Sequence, residues 1–203
     1  MVYDKDLRWE KISEKHIVKN RWIDMRELTY KMPNGDVMGP FYNYSRKNYS
    51  VIVARDEDGN FVCVRQFRQG IGCVTTEFPA GGIERADGRE YGGDAPGTED
   101  TLSAAQRELL EESGYVSDKW TFLMMIPSDA TVADNYAYLY FADECRRVAG
   151  QDLDSTEFLD VTPLTGSDLD VLIAEGHFEQ AMHVLAYQLV KHRGLICVTP
   201  LAD

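Results

Sequence analysis

The feature that most constrains the fold is a predicted helix at residues 99–113, with the sequence EDTLSAAQRELLEES. Thr98 or Asp100 can cap its start, and Gly114 can close its C-terminus. At about 100° per residue, its aliphatic side chains gather on one side. That side must be covered by a sheet or by another helix. It consists of Leu102, Ala105, Gln106, Leu109 and Leu110.

Three carboxylates, Glu108, Glu111 and Glu112, fall within an arc of about 100° on another side of this helix. At these spacings they repel one another by roughly 0.2–0.5 kcal/mol per pair. Two interpretations are open. The face is solvated, with Arg107 pairing Glu111 at i+4, or a divalent cation holds the carboxylates together. Oxygen ligands of this kind suit Mg²⁺ or Mn²⁺ rather than zinc.

The first half of the chain predicts mainly antiparallel sheet, because turn signals rich in Asp, Asn and Gly separate β-rich stretches. Further strands follow, and two helices close the chain. The order of strands, helix, strands and helices favours an α+β domain with a mixed sheet between helices. The predicted hairpins are 22–31 with 37–44 and 49–54 with 60–67; the later strands are 74–78, 120–126, 136–142 and 156–161. The closing helices are 168–175 and 178–192, the second with an apolar stripe at Ala181, Val184, Leu185 and Leu189.

The charge of the chain argues against polyanionic partners. Among 203 residues, 21 Lys and Arg stand against 34 Asp and Glu, a formal net charge of -13. Such a field repels nucleic acids and anionic membranes, although a bound cation can invert it locally. The charged N-terminus resembles no signal peptide and no apolar run approaches a membrane span, so we expect a soluble cytoplasmic protein. Four widely spaced cysteines predict reduced thiols, and the four histidines predict ordinary surface or helix residues.

The acidic helix also matches a longer motif. Glu99 is followed after seven residues by Arg107-Glu108-Leu109-Leu110-Glu111-Glu112-Ser113-Gly114. This spacing resembles the Nudix box, G-x5-E-x7-R-E-U-x-E-E-x-G-U, where U is a bulky aliphatic residue. The segments VRQFR at 64–68 and EFPAGG at 77–82 resemble the ADP-ribose pyrophosphatase-like branch of that family. The resemblance extends from about Trp9 to the last helix and implies an α/β/α sandwich.

Two positions depart from the family pattern. Gly93 satisfies the x5 spacing, but the family's box glycine follows Pro-Ala, which makes Gly81 its expected equivalent here. Residues 85–96 then form an insertion of about a dozen residues in an exposed loop. The last box position is Tyr115 instead of an aliphatic residue, which packing should tolerate.

The resemblance implies a site for Mg²⁺ or Mn²⁺. Glu108 and Glu112 are its expected principal ligands, and Glu111 is a further ligand or supports the ligands. The Ala80 carbonyl is the expected ligand from the preceding loop, and Glu99 supports the metal cluster or that loop. A cation held in this way neutralises a pyrophosphate and activates a bound water.

Catalytic roles are expected for four residues. Arg107 orients the box carboxylates, in a role that is catalytic or purely structural. In the branch that the sequence resembles, the general base usually comes from a loop beyond the box, and the only acidic loop in that region here is 149–157. Glu157 is the first candidate and Asp154 the second, with a solvated loop as the alternative. Glu111 completes the predicted catalytic set.

Substrate contacts are expected from both halves of the chain. The resemblance implies that Arg68 contacts the diphosphate or terminal ribose and that Glu77 hydrogen-bonds the nucleotide portion. Gly82 lies in the same loop as the metal-binding carbonyl. Trp22 and Arg46 belong to the N-terminal region that, in the family, reaches the adenine across a dimer interface. We therefore predict a homodimer.

The predicted organisation is a β-rich region at 1–45, for dimerisation and substrate contacts, followed by a Nudix hydrolase domain at 46–203. The predicted activity is Mg²⁺-dependent hydrolysis of ADP-ribose to AMP and ribose 5-phosphate. One alternative is hydrolysis of a nucleoside diphosphate sugar or another nucleotide. A second is a non-catalytic nucleotide sensor, which the complete set of box carboxylates disfavours. The partner in each case is a small nucleotide, and no nucleic acid or membrane is expected.

Overall fold

The computed structural model describes residues 6–89 and 97–196. This part of the chain contains eleven strands and three helices. No helix in it is both long and apolar enough to span a membrane. The strands are β1 (Glu10–Lys19), β2 (Asp24–Lys31), β3 (Val37–Ser45), β4 (Tyr49–Asp56), β5 (Phe61–Arg68), β6 (Cys73–Glu77), β7 (Ala80–Gly82), β8 (Tyr115–Val116), β9 (Lys119–Pro127), β10 (Tyr136–Arg147) and β11 (Leu159–Leu164); the helices are α1 (Thr101–Ser113), α2 (Gly166–Ala174) and α3 (Ala181–His192).

The described residues fall into two compact units. The first lies within Met1–Asn48, Arg85–Thr98 and Pro127–Tyr136. Its core element is an antiparallel sheet in the order β1-β2-β3. All ten residues of β1 are exposed. The rings of Trp9, Tyr30 and Phe41 form an aromatic cluster with centroid separations of 5.4–5.9 Å.

An ionic cluster joins the sheet of the first unit to its third segment. Arg26 Nη2 donates to Ser45 Oγ at 2.7 Å and to the Asp134 carboxylate at 2.8 Å. Ser45 Oγ donates to the same carboxylate oxygen at 2.5 Å. The charge-assisted bonds hold residues that are 108 positions apart in the chain.

The second unit lies within Tyr49–Glu84, Glu99–Ile126 and Ala137–Asp203. It contains an eight-stranded mixed sheet with the path β11-β5-β4-β10-β8, while β6, β7 and β9 pair with β5, β4 and β10. The pairing of β10 with β4 is parallel, and the pairings of β4 with β5 and β7 are antiparallel. This is the mixed sheet that the sequence predicted.

The central strand β4 shows why helices cover both faces of this sheet. Its residues alternate in direction, as the pleat of a strand requires. Ile52 and Ala54 pack with Ala105 and Leu109 of α1. Val51 and Val53 point the other way, into a cluster that includes α2 and α3 through Leu169, Ala186, Tyr187 and Val190. The predicted α/β/α sandwich is therefore confirmed.

Helix α1 begins and ends where local signals place it. Asp100 is the N-cap and accepts hydrogen bonds from the backbone N–H groups of Leu102 and Ser103. Gly114 is the C-cap, with φ of 75°, a left-handed conformation that favours glycine. A Cβ there would also collide with the Ala149 carbonyl. The helix starts at Thr101, so Glu99 lies before its N-cap and outside the helix.

The predicted elements are largely confirmed, with several differences. Strands β7 and β8 were not predicted, and the helices predicted at 99–113 and 178–192 begin at Thr101 and Ala181. Both hairpins form, as β2–β3 and β4–β5, but β1 was not predicted as a separate strand. The strand predicted at 156–161 begins at Leu159. The apolar stripe predicted on α3 is only partly buried or exposed. The fully buried face is instead His183, Ala186, Tyr187 and Val190.

His183 is the residue of α3 that anchors the strand carrying the EFPAGG segment. Its side chain is buried, and Nδ1 accepts a hydrogen bond from the Phe78 backbone N–H at 3.1 Å. The two rings stack in parallel, 6.4 Å apart. Burial, helped by the positive charge of Arg68, lowers the pKa of His183 to about 3. His183 is a helix residue, as one of the two expected alternatives had it, but it lies in the core rather than at the surface.

We predict that His183 makes the protein sensitive to mild acid. An unfolded histidine has a pKa of 6.5, so the unfolded state binds one more proton between about pH 6.5 and 3, and stability falls as pH falls through this range. At pH 5 the loss from this residue is about 2 kcal/mol relative to pH 7. In urea unfolding, the free energy of unfolding of His183→Asn should differ less between pH 5 and pH 7 than that of wild type. The exposed His192→Asn is the control. The same pH-dependent change in the free energy of unfolding in wild type and both variants would contradict the prediction.

Candidate functional site

Strand β7 pairs with β4 and contacts α1 directly. The Ala80 backbone N–H donates to a carboxylate oxygen of Glu112 at 3.0 Å. The next residue, Gly81, lies against the Glu108 side chain so closely that a Cβ on Gly81 would overlap the Glu108 carboxylate. This contact fits the predicted role of Gly81 as the box glycine. Gly93 lies outside the described residues.

Arg107 is the centre of the charge network on α1. Its Nε and Nη2 atoms donate to the two carboxylate oxygens of Glu99 at 3.1 and 3.0 Å. Nη1 donates to Glu108 at 2.8 Å and to Glu111 at 2.9 Å. Nη2 also donates to the Gly82 carbonyl at 3.0 Å. One guanidinium therefore connects three predicted ligand or support residues with β7.

Glu99 links this network to the chain that follows β7. Its carboxylate accepts from the Glu84 backbone N–H at 3.2 Å, and its own N–H donates to the Glu84 carbonyl at 2.9 Å. Charge-assisted bonds of this kind are about twice as strong as neutral ones. Glu99 is thus bonded to the chain that follows β7, while its role in supporting the metal cluster or that loop stays a prediction.

Glu108 and Glu112 lie on the buried face of α1, with only 8% and 4% of their surface exposed. The interpretation of a fully solvated carboxylate face is therefore wrong for these two residues. Glu111 is partly exposed and forms the predicted i+4 pair with Arg107. Burial, against the opposing charge of Arg107, raises the pKa of Glu108 to about 7. Burial also raises the pKa of Glu112.

The raised pKa values have a physical consequence for ligand binding. A carboxyl group whose pKa is raised on folding lowers the stability of the folded protein as pH rises from the unfolded pKa through the folded pKa, which for Glu108 is from 4.5 to about 7. At neutral pH the ionised forms of Glu108 and Glu112 are thus held at a cost. A cation bound near them would remove part of that cost, because opposite charge favours the ionised form.

We tested whether these residues fit a divalent cation. Within 6–89 and 97–196, no three Asp, Glu, His or Cys side chains are arranged as a preformed metal site. The carboxylates of Glu108 and Glu111 are directed to Arg107, whose charge occupies the position of a counter-ion. The donor set nevertheless consists only of oxygens, and the buried Glu112 carboxylate has hydrogen-bond capacity to spare. Both properties fit Mg²⁺ or Mn²⁺.

The loop before β11 carries the two predicted general bases. Glu157 N–H donates to the Asp154 carbonyl at 2.9 Å, and Asp154 N–H donates to the Glu157 carboxylate at 3.1 Å. The turn is closed on itself by the side chain of Glu157. The negative charge of Glu157 also contributes to the raised pKa values of Glu108 and Glu112, which places the Glu157 loop within electrostatic range of both carboxylates.

Arg68 and Glu77 form an ion pair at the ends of β5 and β6. Arg68 Nη2 lies 2.6 Å from a Glu77 carboxylate oxygen. The Glu77 side chain is fully buried, whereas that of Arg68 keeps 34% of its surface exposed. Burial raises the pKa of Glu77, with Arg68 acting in the opposite direction. Only the arginine therefore has surface available for a bound molecule in this arrangement.

The remaining predicted residues are distributed over both units. Gly82 lies in β7 of the second unit, where its carbonyl is bonded to Arg107. Trp22 and Arg46 belong to the first unit and are both exposed. The guanidinium of Arg21 stacks 4.3 Å from the Trp22 ring. The substrate contacts of Gly82, Trp22 and Arg46 stay predictions.

Two residues at the site were not predicted from sequence. His183 holds the Phe78 backbone, and its signal was available, since His183, Ala186, Tyr187 and Val190 follow the i, i+3, i+4, i+7 spacing of a buried helix face. Gln151 bonds to the end of α1 through its side-chain amide. No local pattern marks Gln151, because its partner is 39 positions away.

Comparison with known proteins places the chain in a family. Residues 45–180 match the NUDIX domain model, which is more than half of the chain. The chain therefore belongs to the NUDIX family. A solved structure, "Crystal structure of ADP compounds hydrolase", has the same fold, with a TM-score of 0.76 and 19% identity over 95% of this chain and 100% of the other.

Curated relatives match over nearly their whole length. The ADP-ribose pyrophosphatase of Bacillus subtilis (strain 168) is 26% identical over 188 residues, covering 92% of this chain and 95% of the relative. The ADP-sugar pyrophosphatase of Mus musculus is 28% identical over 200 residues, covering 89% and 86%. The methanol dehydrogenase activator of Bacillus methanolicus is 27% identical over 191 residues, covering 93% and 92%.

We predict that Gly81→Ala displaces the Glu108 carboxylate while preserving the fold. The three atoms nearest the new Cβ all belong to the end of the flexible Glu108 side chain, so Glu108 must rotate away. Calorimetry should show Mn²⁺ affinity at least tenfold weaker, about 1.4 kcal/mol, with the thermal midpoint nearly unchanged. Gly70→Ala is a matched control, because nothing lies within 4 Å of its Cβ position. Wild-type affinity in Gly81→Ala would contradict the prediction.

Proposed function

We propose that this protein is a divalent-cation-dependent hydrolase that cleaves the pyrophosphate of ADP-ribose, giving AMP and ribose 5-phosphate. The observation that carries the proposal is the buried pair Glu108 and Glu112 beneath β7, in the register of the Nudix box. Family membership and the pyrophosphatase relatives support it. ADP-sugars are the second candidate substrate class, favoured by the Mus musculus relative.

Members of this family generally use a divalent cation, and we propose Mg²⁺ or Mn²⁺ here. Glu108 and Glu112 would hold it, with Glu111 and the Ala80 carbonyl as further oxygen ligands. The cation supplies charge neutralisation of the pyrophosphate and activation of water. Arg107 positions Glu108 and Glu111 through its hydrogen bonds, and Glu99 fixes Arg107 from the opposite side.

We assign the general base to the loop before β11. Glu157 is the first candidate, because its charge influences Glu108 and Glu112, and Asp154 is the second. The Asp154 N–H bonds to one oxygen of the Glu157 carboxylate, and the other oxygen would accept the proton from water. A base in hydrogen-bond reach contributes about 10²–10⁴-fold to such reactions.

For the substrate, we assign Arg68 to the diphosphate or terminal ribose. A guanidinium presents paired donors that match phosphate oxygens. The predicted nucleotide contact of Glu77 does not agree with its full burial, so we propose that Glu77 orients Arg68 instead. Gly82, Trp22 and Arg46 remain candidate substrate contacts.

We predict that Glu157→Gln lowers kcat at least tenfold, since the amide retains the size of the carboxylate but cannot accept the proton. Steady-state kinetics with ADP-ribose and Mg²⁺ would measure the effect, with Asp154→Asn in parallel to separate the two candidates. The exposed Glu175→Gln, at the C-cap of α2, is the control. A kcat for Glu157→Gln within tenfold of wild type would remove this assignment.

The experiment that tests the function is a substrate panel. Purified protein is incubated with Mg²⁺ and ADP-ribose, ADP-sugars and other nucleoside diphosphate compounds, and products are separated by chromatography. AMP and ribose 5-phosphate from ADP-ribose support the proposal. Preferential cleavage of an ADP-sugar would support a hydrolase of the second substrate class instead. Tight binding of one compound with no turnover of any would establish a sensor and refute the hydrolase.

We also propose a homodimer, in which residues 1–45 supply dimerisation and substrate contacts to a hydrolase domain at 46–203. The fully exposed β1, with Ile12, Ile17 and Val18 each more than 40% exposed, offers apolar surface for such a contact. Sedimentation at micromolar concentration should give twice the 23.0 kDa chain mass, and a monomer would remove the shared site. Free Cys63, Cys73 and Cys145 fit the proposed cytoplasmic location.

A further inference from the structure

The C-terminal carbonyls of α1 are satisfied from outside the helix. The last turn of any α-helix leaves carbonyl groups without intrahelical partners. Here the Glu111 carbonyl accepts from the Asp152 backbone N–H at 2.9 Å. The Glu112 carbonyl accepts from the Gln151 side-chain Nε2 at 2.8 Å. The partners of both carbonyls come from the loop that carries Glu157.

Gln151 makes a second bond from the same nitrogen atom. Nε2 also donates to the Leu159 carbonyl at 3.2 Å. Leu159 is the first residue of β11 and is paired with Gln66 of β5. One amide therefore connects the end of the carboxylate helix to the start of the strand that follows the Glu157 loop. The loop at 152–158 therefore lies between two fixed points, the end of α1 and the start of β11.

The position of Glu157 depends on these attachments. Its own hydrogen bonds are made within the turn, with Asp154. Such local bonds shape the turn but do not set its distance from α1. That distance is set by the Asp152 N–H and by the Gln151 amide, which both bond to carbonyls of residues carrying predicted metal-binding carboxylates.

We propose that Gln151 is a positioning residue: its side-chain amide holds the Glu157 loop in register with Glu112 of α1 and with β11. The inference rests on the proposed function, in which Glu157 is the general base. Gln151 itself touches neither substrate nor metal. Displacing a reacting group by about 1 Å can reduce turnover by up to 10²-fold. Because the Asp152 bond remains, we expect about a tenfold loss of kcat on removal of the amide.

The test is a double-mutant cycle with Gln151→Ala, Glu157→Gln and both together. Gln151→Ala should lower kcat about tenfold with KM within twofold of wild type, because the loop does not bind substrate in this scheme. In the Glu157→Gln background the same change should have no further effect. Gln151→Glu, which keeps the size but removes the donor, should behave like Gln151→Ala. The exposed Gln188→Ala on α3 is the matched control.

A second measurement does not depend on activity. In the metal-free protein, hydrogen exchange of the Asp152 amide should accelerate at least fivefold in Gln151→Ala, while the amides of β4 exchange at wild-type rates. A merely structural role would lower the protection of both or leave an additive loss of kcat in the cycle. Either result, or a kcat for Gln151→Ala within twofold of wild type, would overturn the proposal.

The outcomes separate this inference from the function on which it rests. If wild type cleaves ADP-ribose and Glu157→Gln is impaired, but Gln151→Ala is not, only the positioning role fails. If Glu157→Gln retains kcat, the base assignment and the role of Gln151 both fail, and the hydrolase stands. If wild type cleaves no compound of the panel, the proposed function fails, and the inference, which rests on it, fails as well.

Discussion

The burial of two carboxylates beneath β7 is the constraint on which the rest of the second unit depends. Glu108 and Glu112 occupy a helix face that would otherwise be apolar, and transfer of charge from water is costly unless partners are supplied. The structure supplies them as the Arg107 guanidinium, the Ala80 N–H and the space left by Gly81. Ala80 and Gly81 come from a strand more than 25 residues earlier in the chain than the carboxylates they contact, so the complete site exists only in the folded protein.

The two faces of the mixed sheet differ in the residues that cover them. The α1 face carries the charged residues, while the α2 and α3 face consists mainly of apolar packing around Val51, Phe61 and Tyr187. His183 belongs to the second face but bonds to the backbone of Phe78, two residues before Ala80. The apolar core thus fixes the segment that supplies β7. Stability and site geometry are coupled at this one backbone N–H group.

The end of α1 shows how one set of bonds serves folding and function together. A helix that ends at Ser113 must satisfy its last carbonyls. The chain uses the glycine cap at Gly114 for one and the 148–152 loop for others. Because that loop continues into the segment with Glu157, capping the helix also brings a fourth carboxylate toward the first three. Water can also satisfy carbonyls at a helix end, but it would not place the loop.

Much of this architecture is determined by local sequence. Asp100, Gly114 and the spacing of Arg107 and the glutamates follow from helix geometry, and the two hairpins follow from their turn residues, because such signals act between near neighbours. Tertiary structure alone decided that Glu108 is buried and Glu111 is not, since a sequence shows which residues share a helix face but not what covers it. It also decided the buried face of α3, the start of β11 and the bonds of Gln151. Each of these depends on partners far away in the chain, whose proximity only the completed packing of the sheet can create.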